Sequence, residues 1–269
     1  MIYDRWSIEK LGNIENCKDC GWTEKVKQKH KKENIKPYVT LFYGLKVGEK
    51  PKYMFIMQNP GIKRKNNHLS KEYKEEINTI SKGETSTRRM DIMRKQWFEW
   101  MTNKNKGFFK VFLNTMNIFN QELNLGFDSY SNFFKHFYVT DVIKCRGDTR
   151  NLAKYAGNRC YKNFLLYEIN TIKPKLIFTF SVRAWGVFAP IIKGNNKITK
   201  VHGKHFPILV GTVNTHIIPL THFTGQTYNN CLRKSYFNYF TEGLINFLKL
   251  DDPSSPLIKK LTDNIYEEQ

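Results

Sequence analysis

One short stretch constrains this chain more than any other: residues 138–146, Tyr-Val-Thr-Asp-Val-Ile-Lys-Cys-Arg. Its first half is aromatic and β-branched, with no glycine or proline, which is the composition of a buried strand. Its second half delivers an acid (Asp141), a thiol (Cys145) and a guanidinium (Arg146). In parallel α/β sheets, ligands sit beyond the carboxyl ends of the strands. This strand therefore aims its reactive residues at the place where such folds do chemistry.

Other apolar runs share the pattern. Residues 53–57 read as a strand running into Gln58-Asn59-Pro60-Gly61, a tight turn able to present backbone N–H groups and one amide side chain. Residues 176–180 and 215–220 read as two more strands, the last ending in Thr221-His222-Phe223. Residues 206–210 are expected to form an edge hairpin with the strand that follows. Helices are expected over 70–80, 89–101, 108–119, 151–172, 182–187 and 228–250, from apolar spacing and from the caps and prolines that bound them. Residues 194–200 read as a polar loop. Strand–helix repeated four times predicts a three-layer α/β/α fold around a central four-stranded parallel sheet. Residues 1–250 are expected to form one domain, with a charge-rich helical insertion at 63–107. Residues 251–269 read as a short peripheral tail.

The chain has 269 residues and a formal charge of +20. That excess points to a polyanionic partner, and the interleaved aromatics favour nucleic acid over a membrane surface. A generally basic composition rich in Lys and Asn is the alternative source of the charge. No apolar run reaches the ~20 residues needed to span a bilayer, and the N-terminus lacks the apolar core of a secretion signal. A cytoplasmic monomer is expected. In a reducing compartment the five cysteines are not expected to be a disulfide framework. Cys17-Lys18-Asp19-Cys20, taken alone, is equally consistent with redox chemistry, metal binding or accident.

Taken together, these pieces resemble the uracil-DNA glycosylase superfamily, most closely its iron–sulfur branch (family 4). The resemblance spans roughly residues 15–245. It rests on the loop 58–61, the stretch 139–146, the strand and loop at 220–222, and the Ile-Lys-Pro-Lys turn before residue 176. It implies hydrolysis of the N-glycosidic bond of a base flipped out of DNA. It also implies a 4Fe–4S cluster held by Cys17, Cys20, Cys145 and Cys160, although a zinc site would satisfy four thiolates equally well. Cys231 is left with no role beyond a small buried residue.

The resemblance further assigns roles. Asn59, with Gln58, falls where the superfamily orients the attacking water, and His222 falls where it stabilises charge on the departing base. Gly61 belongs to the turn beside the substrate. Arg146, Arg150, Lys204 and Arg233 are candidate phosphate contacts, and Phe223 a wedge into the duplex. Trp97 and Phe98 are candidates for the ring that stacks on the base, although aromatics on such a helix more often belong to the core.

Asp141 is the informative departure, because the family carries an Asn there. An ionised carboxylate cannot donate to O4 of uracil, but it accepts from the exocyclic amine of cytosine. The insertion at 63–107 also replaces the segment that normally closes the pocket near C5. The expected target is therefore a modified cytosine, as in phage DNA. The alternatives are uracil excision in base repair and a modified-DNA binding protein without turnover.

Overall fold

A computed structural model of the chain describes residues 3–20, 22–32, 42–58, 64–65, 68–69, 71–82, 85–102, 130–145, 158–192, 197–221 and 236–267. The chain enters as helix α1 (Arg5–Glu15), capped by Asp4, whose carboxylate accepts from the Trp6 N–H at 2.8 Å. Helix α2 (Trp22–Lys32) follows, then strand β1 (Tyr53–Met57). The charge-rich insertion contains a small hairpin, β2 (Arg64–Lys65) and β3 (His68–Leu69), and helices α3 (Lys71–Ser81) and α4 (Ser86–Thr102). Helix α5 (Tyr130–His136) leads directly into β4 (Phe137–Asp141). A π-helical segment, Tyr161–Leu165, continues as α6 (Leu166–Ile172) and leads to β5 (Leu176–Phe180). Then come α7 (Val182–Gly186), α8 (Ile198–Val201), β6 (Phe206–Val210), β7 (Val213–Leu220), α9 (Tyr236–Asp251) and α10 (Pro256–Glu267).

The main sheet has the order β4-β1-β5-β7-β6. Four strands are parallel, as expected; β6 adds a fifth, antiparallel edge through its hairpin with β7. β4 and β5 are buried at every position and β1 at all but its last, the signature of parallel strands covered on both faces. The edge strand β6 instead alternates buried and exposed.

Alternation sorts β4 into two faces. Phe137 stacks with Phe133 of α5 and packs against Phe55 of β1; Trp97 of α4 completes this aromatic layer. Tyr138 and Thr140 point the other way. There the Thr140 hydroxyl donates to Glu168 of α6 at 2.7 Å, and the Lys144 ammonium donates to the same carboxylate oxygen at 2.8 Å. Lys144 and Glu168 are 1% and 0% exposed.

Three expectations need correction. Residues 198–201 form a helical turn rather than loop, because Ile198 and Val201 are buried. The C-terminal segment is not peripheral: α10 buries Leu257 and Leu261 and packs along α9. The helix expected over 89–101 starts earlier, at Ser86. The helix expected over 108–119 lies outside the described residues.

Two outcomes follow from these contacts. Deleting one member of a buried ion pair strands the other charge, a loss of about 3–5 kcal/mol. Denaturant unfolding should therefore show Lys144→Met to be destabilised by that order, and the Lys144→Met/Glu168→Leu double variant to lose less.

On the β6–β7 edge, His205 Nε2 lies 2.7 Å from His216 Nδ1, one nitrogen donating and the other accepting. Burial, then the neighbouring His216, pulls His205 down to about 4 from its usual 6.5. The folded state thus binds its proton less readily than the unfolded chain does. Its contribution to stability is complete above pH 6.5 and is lost progressively as pH falls toward about 4. Melting temperature measured across that window should fall more steeply for the wild type than for His205→Gln.

Candidate active site

The parallel ladder between β1 and β4 does not stop at the strand ends. Asp141 stands opposite Met57. Beyond them the Val142 N–H donates to Met57 O at 2.9 Å and the Ile143 N–H to Gln58 O at 3.1 Å. These two bonds fix Asp141 beside Gln58, the first residue of the 58–61 turn. Asp141 is 5% exposed and Gln58 is half-buried. Alternation puts Asp141 on the aromatic face of β4, opposite to Thr140.

The next two strand ends are cross-tied. The Ser181 N–H, just past β5, donates to Leu220 O at the end of β7 at 2.9 Å. Ser181 has φ 141° and ψ 162°, a region that only glycine enters without strain. Three bonds hold it there: the one to Leu220, the Ala184 N–H donating to its hydroxyl at 3.1 Å, and the Trp185 N–H donating to its carbonyl at 3.0 Å. After β1 the chain forms β4 on one side and then crosses to β5 on the other, so the strand order reverses between β1 and β5. That is where open α/β sheets bind ligands. Gln58 and Ser181 flank the reversal, with Asp141 one strand beyond Gln58 and Thr221 one strand beyond Ser181.

Of the residues expected to do chemistry, Asp141 and Gln58 are brought together. Asn59, Gly61, Arg146, Arg150, His222, Phe223 and Arg233 lie outside the described residues. Lys204 is exposed next to the end of β7, where the preceding Gly203 N–H donates to Pro219 O at 2.8 Å. Of the two readings of Trp97, core residue or stacking platform, its burial favours the core. It is 7% exposed and ringed by Tyr43, Phe55, Phe133 and Phe134. Phe98 is half-buried against Phe133.

The N-terminal cysteines sit against the helix that carries Cys160. The Lys10 ammonium of α1 donates to Asn163 O at 3.3 Å and lies over the rings of Phe164 and Tyr167. The Cys17–Cys20 turn is tied down at Asp19: Arg159 donates to its carbonyl at 2.6 Å and Asn163 to its carboxylate. Burial pushes the Cys160 thiol up to about 11, while the Lys144 backbone N–H pulls it back; Cys20 and Cys17 are near enough to influence it. Burial likewise raises Cys17. None of these four cysteines is in a disulfide, and Cys145 and Cys160 are buried. Among the described residues no three His, Cys, Asp or Glu side chains already stand together at metal-binding separations. The donor chemistry, four thiols outside any disulfide from three chain segments, suits a thiolate-held group; closing it around a metal would draw the sulfurs together.

The model of the uracil DNA glycosylase superfamily matches residues 45–244, most of the chain. This protein belongs to the uracil DNA glycosylase superfamily. Members of that superfamily are DNA glycosylases, enzymes that act on DNA. No curated protein matches the chain. Among the described residues no helix is long and apolar enough to cross a membrane.

Two residues at this crest escape a reading of the sequence. Ser181 is legible as a helix cap, but nothing in the residue type announces a glycine-like backbone. His202 reads as part of a turn, yet its Nδ1 accepts from the Thr221 N–H at 3.0 Å.

Proposed function

We propose that this protein is a monofunctional DNA glycosylase that hydrolyses the N-glycosidic bond of a flipped-out modified cytosine and leaves an abasic site. The observation that carries the choice of base is Asp141, a carboxylate buried at the carboxyl end of β4 and fixed beside Gln58 by the extended β1–β4 ladder. An ionised carboxylate accepts from an exocyclic amine and has nothing to offer the O4 of uracil. A wrong hydrogen-bond polarity in such a pocket costs about 10⁴-fold or more in selectivity.

In this reading the glycosidic bond breaks heterolytically. The base leaves with the electron pair, and the sugar gains oxocarbenium character. Water adds to C1′, and its proton ends on the departed base. Gln58 and Asn59 are amides, so they orient the water rather than deprotonate it. His222 donates a hydrogen bond to the charge that develops on the base. Phe98 is the aromatic left to stack on the base once Trp97 is assigned to the core. Ordinary cytosine is the host's own base, so the target carries a C5 substituent, accommodated by the insertion at 63–107. Removal of such bases from invading phage DNA is the biological setting this chemistry fits.

The test is a panel of oligonucleotides carrying uracil, cytosine and C5-substituted cytosines, read by mass spectrometry of the released base. Release of a C5-substituted cytosine with uracil left in place is expected. Asp141→Asn should reverse that preference by restoring a donor toward O4. Fast uracil release by the wild type with modified cytosine untouched would reject the choice of base and return the protein to uracil repair. Gln58, an amide where a stronger base would drive turnover, favours one further reading, capture of modified DNA without cleavage. Tight binding with no base released over hours would establish it.

The same proposal gives the four thiols a 4Fe–4S cluster on Cys17, Cys20, Cys145 and Cys160, which when bound would cross-link the N-terminal arm to the loop after β4 and the helix after it. Protein purified without oxygen should be brown, with absorbance near roughly 400 nm and about four irons per chain. Cys145→Ser should lose both. Colourless protein carrying about one zinc would replace iron with a structural zinc site.

A further inference from the structure

We infer that His202 is a positioning residue for the peptide that enters His222, its imidazole serving as an acceptor beyond the end of the edge strand. The edge strand β6 stops short of the end of β7. Phe206 pairs with Ile217, and β7 continues through Leu220, paired with β5 on one side and, among the described residues, with no strand on the other. Backbone N–H groups on that overhang need acceptors, because Thr221 is 2% exposed.

The turn before β6 supplies one donor and one acceptor. The Gly203 N–H donates to Pro219 O at 2.8 Å, as a paired strand would. Pro219 has no N–H to satisfy on this overhang. Two residues on, the Thr221 N–H donates to His202 Nδ1 at 3.0 Å. On its other side, β7 is held by the Ser181 N–H donating to Leu220 O. The peptide that leads into His222 is therefore gripped from both flanks.

The imidazole is itself held in orientation. It is 5% exposed and meets the Tyr239 ring of α9 edge-on at 5.8 Å. The turn lies hard against α9. Gly203 has φ +72°, and a Cβ there would come within 2.3 Å of Tyr239 O; a Cβ on Gly243 would come within 2.3 Å of Gly203 O. Two glycines thus let α9 press the turn onto β7. As acceptor, Nδ1 carries no proton, so the neutral ring is fixed in its Nε2–H tautomer.

The catalytic half of this inference rests on the proposed function, in which His222 acts on the departing base. The test compares His202→Ala with His202→Asn, whose Oδ1 stands where Nδ1 stands and keeps an acceptor for Thr221. Hydrogen exchange of the Thr221 amide is measured first and needs no activity. Exchange should quicken in the alanine variant and return toward wild type in the asparagine variant. Single-turnover base release from the best oligonucleotide of the panel is measured next. Displacing a reacting group by an ångström costs about 10²-fold, so His202→Ala should slow release by that order while DNA affinity changes little, and His202→Asn should recover most of the loss.

An unchanged Thr221 amide in His202→Ala overturns the latch. A quickened amide with unchanged base release overturns the catalytic role and leaves a purely structural one. Wild-type protein that releases no base while its Thr221 amide depends on His202 overturns the functional reading and not the latch, so the two failures are told apart.

Discussion

The site depends on one constraint: the hydrogen-bonded ladder between β1 and β4 runs on past both strands. Had it ended at Met57 and Asp141, the acid would sit at a frayed strand end with solvent on one side. The bonds from Val142 to Met57 and from Ile143 to Gln58 make the first residues after each strand as fixed as the strands themselves. Their rigidity comes from backbone pairing and not from side chains. The side chain at 141 can therefore vary between amide and acid of nearly the same shape while the fold stays as it is. In the proposed function, such an exchange changes the base that is read without rebuilding the sheet.

The same logic separates what the sequence shows from what it hides. Parallel strands buried on both faces are continuous apolar runs, and all four were legible, as was the edge hairpin at 206–210. Asp141 was legible as a candidate because an acid interrupts an apolar run at its carboxyl end, and the structure buries it there. Helix α1 was not: its buried residues, Ser7, Lys10, Leu11 and Ile14, include a lysine and a serine, so the apolar stripe is thin. Trp97 was legible only as one of two things. An aromatic on a charged helix reads as core or as a platform, and packing decides between them, because Tyr43, Phe133 and Phe134 enclose it. Ser181 and His202 act through backbone geometry and one hydrogen bond, neither of which is encoded in residue type.

Charge is handled differently at the surface and inside. The net +20 reflects residues that are mostly solvated, suited to a polyanion. Lys144 and Lys10 depart from that use. Lys144 is buried against Glu168, and burial lowers Lys10 to about 8 even though Glu168 pulls it back up. Both lie between the sheet and the helix that carries Cys160. Lys144 also acts directly on that thiol, through its N–H and through its charge, each favouring thiolate. Burying two amines beside one carboxylate is unfavourable by itself. It becomes reasonable if the thiols nearby are deprotonated, because each thiolate then offsets a positive charge that the fold has already enclosed.

Lys144 stands close to both Asp141 and the helix that carries Cys160. Lys144 follows Asp141 by three residues, and Thr140 bridges its ammonium to Glu168 from the opposite face of the same strand. Cys160 lies near enough to Lys144 to feel both its N–H and its charge. The N-terminal arm, fastened by Lys10 and by Asp19, is then more than a cover over the sheet. It brings two of the four sulfurs to the back of the strand whose front is the proposed base-reading surface. Asp141 and the side chains of Thr140 and Lys144 that meet Glu168 thus divide the two faces of β4 between the proposed base-reading surface and the buried charges near Cys160.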